Sequence, residues 1–374
     1  MLKFILKLLL FATPLIPLYG FPLYVYWQAR ELMPLDQVIY AQAGAQESLY
    51  GLAYVNIERT YKIRLAQDRD PDVLVIGNSH VLQFRGAFFA NPHDFLNGGG
   101  AVHNMRQAIL FVEALPHDDT RRVILFGLDD SFFGSQDVGS EDLVLLEQIR
   151  ALFSAGWRQV YIDYFSGKFS LADLSRNAAS SRSIGLNALI NQNGYLNDGS
   201  YYYGQKSHDP ARISELRAQN SAMLLASMEQ QVDPAQIPEL WQEGFQELET
   251  FLKLCKERNI YVIGFMPPIG YTAVRSAESP PDWSAQSAEV VMRHAKSYFE
   301  QNGFPLFDYF DAHSSGIKES EFVDWDHPTD KADLRILIDM AEHDTVLNRY
   351  IDLNSLRSLL KSTKGDFVID DLSF

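Results

Sequence analysis

The sequence predicts an α/β protein: a parallel sheet of about five strands with helices on both faces, a three-layer sandwich, joined to an apolar N-terminal segment. Three observations predict it. Short continuous apolar runs stop at glycine or polar residues, as strands covered on both faces do. Amphipathic helical patterns alternate with those runs, which is the rhythm of crossover connections. Ahead of them, Leu8 to Trp27 carries 20 residues without a charge, long enough to cross a bilayer as a helix.

Residues 1–27, MLKFILKLLLFATPLIPLYGFPLYVYW, place Lys3 and Lys7 at the front of the apolar run. Small residues spaced for signal-peptidase cleavage are missing, and Tyr24, Tyr26 and Trp27 form an interfacial aromatic belt. The segment therefore reads as an uncleaved, single-pass transmembrane anchor in the cell membrane. Pro14, Pro17 and Pro22 make it a poor straight helix. The alternative is an amphipathic segment lying on the surface, but there are few polar residues to form a second face. By the positive-inside rule the main domain then lies outside the cytoplasm, in the periplasm or at the cell surface. Residues 28–70, mixed and polar with scattered tyrosines, read as a stalk or as helices packing back onto the domain.

The expected strands are DVLVIG (72–77), a short one at DFLN (94–97), RRVILFGL (121–128), IYVIGFMPP (260–268) and FPLFDYF (304–310). Helical patterns lie between them: MRQAILFVEAL, PELWQEGFQELETFLKLCKERN and SAEVVMRHAKSYFEQNG. Residues 135–235 hold more than one crossover helix, and read as an insertion over the strand ends. Its Tyr201, Tyr202 and Tyr203 are candidate substrate contacts, or simply tyrosines of a surface loop packed on the domain. The main domain spans 71–345, and 346–374 is a C-terminal extension.

With 47% hydrophobic residues and 21% charged, the 374-residue chain can bury a sizeable core. Its formal net charge of -16 argues against nucleic acid or an anionic membrane surface as the main partner, and favours an uncharged or cationic substrate. The single cysteine, Cys255, forms no internal disulfide and no multi-cysteine metal site. His93, His103, His117, His208, His294, His313 and His343 have no metal-ligand spacing, so neither metal nor cofactor is expected.

The chemistry concentrates at two places. Ser79 follows the first strand in IGNSH, at the carboxyl edge where open α/β sheets keep their ligands. It is a candidate nucleophile, or a helix cap. Near the far end, EFVDWDHPTD sets Asp324 three residues before His327. A carboxylate so placed can hold the imidazole in one tautomer and leave its other nitrogen as base. A serine hydroxyl needs such a base to attack at neutral pH. His80, adjacent to Ser79, does not face it from a helix start and is not expected to be the base.

Gly77-Asn78-Ser79 after the first strand, glycines after the second, Gly127-Leu128-Asp129-Asp130 after the third and Asp324-Trp325-Asp326-His327-Pro328 after the last come in one order. This order resembles the SGNH (GDSL-like) hydrolase and acyltransferase superfamily, whose first block reads Gly-Asp-Ser and last block Asp-x-x-His-Pro. The resemblance covers roughly residues 70–340 in short scattered blocks. It implies a flavodoxin-like sandwich, with Ser79 as nucleophile, His327 as general base and Asp324 as its orienting acid. It also implies an oxyanion hole from the Ser79 amide, a second-block glycine and a third-block asparagine. Gly99 and Gly100 are both candidates for the glycine, with Asn97 or Asn104 as a side-chain substitute. Spacing and resemblance favour Asp324 as the imidazole's partner, with Asp326 the alternative.

Two departures stand out. Asn78 replaces the first-block aspartate, leaving the three reacting groups in place. Asp129, followed by Asp130, replaces the third-block asparagine, and an ionised carboxylate there would repel a developing oxyanion. A membrane-tethered, outward-facing domain of this kind looks like the D-alanyl transfer protein of teichoic acid modification and the accessory proteins of polysaccharide O-acetylation. That similarity implies acyl, notably acetyl, transfer to an exported cell-surface polysaccharide, with a membrane-bound O-acyltransferase as partner. Gly-x-Ser-His also looks like the first block of SGNH domains associated with such acyltransferases. The alternatives are a freestanding carbohydrate esterase or lipase, and a non-catalytic assembly or glycan-binding protein that keeps the fold.

Overall fold

The computed structural model describes residues 15–44, 46–117, 122–134, 156–180, 182–204, 241–270, 283–324 and 326–369, with a few isolated positions besides. The chain enters through α1 (Leu15–Ala29), α2 (Leu35–Gln42), a short strand β1 (Leu49–Tyr50) and α3 (Glu58–Arg69). Then come β2 (Val73–Gly77), β3 (Phe95–Gly99), α4 (Met105–Ala114), β4 (Arg122–Gly127) and the single turn α5 (Ser131–Gly134). The insertion contributes α6 (Trp157–Phe165), α7 (Leu171–Ser180), β5 (Ser183–Ile184), β6 (Gly194–Tyr195) and β7 (Tyr201–Tyr202). Last are α8 (Gln242–Glu257), β8 (Ile260–Met266), α9 (Trp283–Asn302), β9 (Leu306–Asp308), α10 (Asp330–His343) and α11 (Leu353–Ser362).

Five strands form one sheet in the order β3-β2-β4-β8-β9, every pair parallel. Counted along the chain, that order is 2-1-3-4-5, the doubly wound arrangement whose switch point lies between its first and third strands. Alternation along each strand divides the core. Leu74, Ile76, Leu96, Ile124, Phe126 and Val262 pack with Leu65, Phe111, Phe251 and Phe299 of α3, α4, α8 and α9. Val73, Val75, Phe95, Val123, Leu125, Ile263 and Phe265 pack with Leu334, Leu337 and Leu356 of α10 and α11. Side chains that alternate across a pleat and are apolar on both sides require a layer on each face.

A second, small sheet in the order β5-β1-β6-β7 joins the segment before the core to the insertion. Glu31, buried at the end of α1, accepts the amides of Ala53 (3.0 Å) and Leu186 (2.7 Å) through one carboxylate oxygen. Residues 28–70 therefore pack onto the molecule: Val38, Tyr61, Leu65 and Ala66 belong to the main core. The insertion is part of the fold where it is described, over 156–180 and 182–204; 135–155 and 205–235 lie outside the described residues. The C-terminal extension packs too, with Leu347, Ile351 and Leu356 buried beside α10 and the Val368 and Ile369 amides donating to the Asp330 carboxylate.

The expected anchor fares differently. Most of residues 1–14 lie outside the described residues, and among those described no helix is long and apolar enough to cross a membrane. Residues 15–29 form α1, which carries Pro22 inside it. One side of α1 buries Val25, Tyr26 and Ala29 against Val160, Leu174 and Leu186. The other side leaves Trp27 72% exposed, and Ile162 and Phe165 of α6 are exposed as well.

Candidate active site

Ser79 begins a 3-10 turn (Ser79–Val81) directly beyond β2, at the switch point of the sheet. Asn78 caps the turn, its Oδ1 accepting the His80 amide at 3.1 Å. Gly77 permits the approach of β4: a Cβ there would meet the Gly127 carbonyl at 3.0 Å and Val81 Cγ2 at 3.1 Å. His327 arrives from the far end of the chain on a loop before α10. The loop is held by a bridge between Phe322 and Pro328, by Val323 N donating to the His327 carbonyl (2.8 Å), and by His327 N donating to Asp324 Oδ1 (2.9 Å).

These loops bring Ser79, His327 and Asp324 together. His327 Nε2 lies 2.9 Å from Ser79 Oγ, and Nδ1 lies 2.9 Å from both oxygens of Asp324. A carboxylate only accepts, so Nδ1 carries the proton and, in the neutral ring, Nε2 accepts from the serine hydroxyl. The imidazole is 24% exposed, which leaves an approach to the Ser–His pair. Asp326 Oδ1 also comes within 2.8 Å of Nδ1, as an ion pair without hydrogen-bond geometry. Asp324 is thus the hydrogen-bonded partner, and Asp326 a second negative charge on the same nitrogen.

His80 is the residue the sequence undervalued. Its Nδ1 lies 3.2 Å from Asp129 and its Nε2 3.3 Å from Asp326. Burial works to lower its pKa, but the hydrogen bonds and charges of Asp129 and Asp326 outweigh it and push it up to about 10. His80 is therefore an imidazolium at neutral pH. Burial likewise opposes His327, and Asp324 and Asp326 raise it to about 9. Asp129, though buried, is held well below the usual carboxylate range by His80 and Ser131, and Asp326 is lowered likewise by His327 and His80. Asp130 goes the other way, pushed by burial and the Asp129 charge to about 6, with the Ser287 hydroxyl donating to it.

The expected oxyanion donors divide. Gly99 N donates to Asn97 Oδ1 (2.7 Å), while Gly100 N donates to the carbonyls of Gly77 (2.9 Å) and Asn78 (3.0 Å). Both amides are engaged within the turn, so neither points into the site as the resemblance implies. Asn97 is fully buried, its amide donating to the carbonyls of Val81 and Phe84, and Asn104 caps α4 by accepting Gln107 N. Both asparagines have structural work. Asp129 accepts from Asn78 Nδ2 (2.8 Å) and from the Ser131 amide (2.9 Å), so it organises the loop and donates nothing to an oxyanion. The Ser79 amide remains, with no hydrogen bond among the described residues.

The three tyrosines also separate. Tyr203 stands edge-on to His327, ring centroids 6.4 Å apart, and Tyr201 packs edge-on to Tyr203 at 5.0 Å. Tyr202 faces the opposite way, as strand alternation requires: it is buried with Leu49, Ala188 and Leu196. Arg85, itself buried, fixes this strand by donating to Ser200 Oγ (2.8 Å) and the Tyr201 carbonyl (2.9 Å).

Asp324, Asp326 and His327 gather three metal-ligand-type atoms within 4.8 Å, the one such group among the described residues. The nitrogen in that group is Nδ1, already hydrogen-bonded to Asp324 while Nε2 meets Ser79, so the donor set fits a proton relay better than an ion. Comparison with protein-family models, curated proteins and solved structures finds no match to this chain.

Proposed function

We propose that this protein is a serine acyl-ester enzyme of the SGNH kind, attached to the membrane and acting on an exported cell-surface polysaccharide. The observation that carries this reading is the continuous Ser79–His327–Asp324 relay, with 2.9 Å at each joint. Ser79 Oγ attacks an ester carbonyl while His327 Nε2 takes its proton. The tetrahedral oxyanion accepts from the Ser79 amide, and the imidazolium returns the proton to the departing alcohol, leaving an acyl-serine. A second hydroxyl, from water or a sugar, then repeats the sequence in reverse. Asp324 holds the tautomer and offsets the imidazolium charge.

Transfer to a polysaccharide, with an integral membrane O-acyltransferase as donor partner, follows from the apolar N-terminal segment and from the resemblance of the sequence blocks. The exposed Trp27 of α1 and the exposed Ile162 and Phe165 of α6, a helix that packs on α1, support a membrane-facing side of the domain. A freestanding esterase uses the same relay with water as acceptor.

The test is labelling of the full-length protein in detergent by a fluorophosphonate, together with hydrolysis of 4-nitrophenyl acetate, in wild type, Ser79→Ala and His327→Ala. Both signals are expected in the wild type and neither in the two variants. A wild-type protein that is folded, unlabelled and inactive at alkaline pH overturns the catalytic reading and leaves a glycan-binding or assembly role.

A further inference from the structure

The loops that carry Ser79 and His327 meet a second time, deeper in the molecule. Arg85 lies six residues beyond Ser79 on the same segment, with 2% of its side chain exposed. Its Nε meets Asp330 Oδ2 at 3.6 Å as an ion pair, and Asp330, the first residue of α10, follows His327 by three. Its Nη1 donates to Ser200 Oγ (2.8 Å) and to the carbonyl of Tyr201 (2.9 Å), two residues before Tyr203, whose ring stands edge-on to His327. One guanidinium therefore links the segments that carry Ser79, His327 and Tyr203.

The surroundings hold that guanidinium in one place. Its Nη2 donates to Gln83 Oε1, and Gln83 Nε2 donates to the Tyr201 carbonyl at 2.7 Å. Tyr201 N donates to the Leu82 carbonyl (3.0 Å) and Gly86 N to Asp198 Oδ2 (2.7 Å), so residues 82–86 and 198–201 are tied along their length. Asp330 also accepts the amides of Val368 (2.7 Å) and Ile369 (3.1 Å). Asp333, further along α10, is fully buried too. Burial and the Asp330 charge hold its carboxyl well above the usual range, which favours the neutral acid and leaves Arg85 to balance Asp330. Nearer the solvent, His80 and Asp326 join the same two loops at 3.3 Å.

Building on the acyl-ester reading above, we propose that Arg85 is a positioning residue: its guanidinium, spanning Asp330 and the Ser200–Tyr201 segment, holds the Ser79 turn in register with His327. Its buried side chain acts through the contact of Ser79 Oγ with His327 Nε2 rather than on the ester. A planar fork with donors at fixed angles can serve several segments at once, whereas a lysine ammonium is a point charge on a flexible stem. Arg85→Lys therefore keeps the charge beside Asp330 and loses the register. A slip of about 1 Å between nucleophile and base can cost about a hundredfold in rate.

The test has two arms on the full-length protein in detergent. It compares Arg85→Lys, the double variant Arg85→Gln with Asp330→Asn, and the control Arg357→Gln, which removes an exposed pair to Glu342. The double variant leaves no orphan charge at this pair, and so serves if Arg85→Lys does not fold. In the first arm the Nε2 resonance of His327, assigned in 15N-histidine-labelled protein by its loss in His327→Ala, is recorded with Ser79 present and with Ser79→Ala. The serine substitution is expected to shift that resonance in the wild-type and Arg357→Gln backgrounds, and the shift is expected to be lost in both Arg85 variants. In the second arm kcat for 4-nitrophenyl acetate falls about thirtyfold or more in the folded Arg85 variants, while KM stays within about threefold. A full serine-dependent shift in a folded Arg85 variant, or no such shift in the wild type, overturns the proposal, and so does a wild-type kcat in a folded Arg85 variant of an active enzyme. A shift lost in the Arg85 variants, with no ester turnover even in the wild type, instead keeps the positioning role and removes the acyl-ester reading.

Discussion

The side-chain amide of Asn78 donates to Asp129 Oδ2 at 2.8 Å. These are the two positions at which the chain departs from the Gly-Asp-Ser and third-block asparagine pattern, and the contact makes them one departure. In this chain the amide donates from position 78 and the carboxylate accepts at position 129. Restoring the pattern at one position alone should therefore fail. Asn78→Asp sets two carboxylates within 2.8 Å in a buried loop, and is expected to lower stability by about 2–4 kcal/mol and ester hydrolysis about a hundredfold. Asn78→Asp with Asp129→Asn recovers activity to within about tenfold. Urea denaturation and 4-nitrophenyl acetate hydrolysis on the single and double variants decide it, and additive losses would refute the coupling.

His80 is the cation that makes this anionic loop tolerable, since Asp129 and Asp326 both face it within 3.3 Å. His80→Gln keeps two nitrogen- or oxygen-borne contacts but removes the charge. Taking one partner from a buried ion cluster costs about 3–5 kcal/mol. Activity should fall as well, about tenfold or more, because an uncompensated Asp326 sits 2.8 Å from His327 Nδ1 and holds that ring more firmly protonated. Asp129→Asn added to His80→Gln should regain part of the stability, which a thermal melt would show.

Activity and stability are expected to move in opposite directions with pH. On the acyl-ester reading His327 acts as base only when neutral, and its pKa is raised to about 9, so kcat/KM for an activated ester should climb with pH through about 9 and level off above it. Asp324→Asn should shift that rise toward lower pH while lowering the plateau. For stability, both histidines are raised above an unfolded value near 6.5. Their contribution is full below that value and is lost as pH rises through about 9 for His327 and about 10 for His80. Urea midpoints at pH 6.5, 8 and 9.5 should fall in that order. A flat activity profile between pH 7 and 9 would contradict the assigned charge state.

What was legible in the sequence was whatever is encoded by local pattern. The runs VLVIG and, after Arg122, VILFG announce buried parallel strands because they are apolar on both faces, and Asp324 to His327 announces a relay because three residues of turn suffice to bring carboxylate and ring together. What escaped depends on pairing between distant loops. His80 looks inert beside Ser79 until Asp129, 49 positions on, and Asp326, 246 positions on, are placed against it. Gly99 and Gly100 looked like oxyanion donors because glycine permits close approach, yet the sequence does not say which acceptor an amide meets, and here it is Asn97 Oδ1 and the carbonyls of Gly77 and Asn78. Strand alternation could have separated Tyr202 from Tyr201 and Tyr203, had the two-residue strand been visible as one.

The N-terminal segment yields the last prediction, since hydropathy alone reads all of residues 1–27 as one piece and the fold does not. Val25 and Tyr26 are fully buried against α6 and α7, and Tyr161 of α6 fastens the start of α1 by donating to the carbonyls of Pro17 (2.8 Å) and Leu18 (2.9 Å). Cutting at residue 28 removes both buried side chains, each contributing about 1.5–3 kcal/mol. A chain starting at residue 28 should therefore be destabilised by about 3–6 kcal/mol. A chain starting at residue 15 keeps those contacts, and its melting temperature should match that of the full-length protein. If the exposed face of α1 and α6 meets lipid, the chain from residue 15 should still float with phosphatidylcholine vesicles, and Trp27→Ser with Phe165→Ser should release it. Equal melting temperatures for the chains from 15 and 28 would show that α1 adds nothing to the domain, whereas a stable chain from 15 that ignores vesicles would place the whole membrane attachment in residues 1–14.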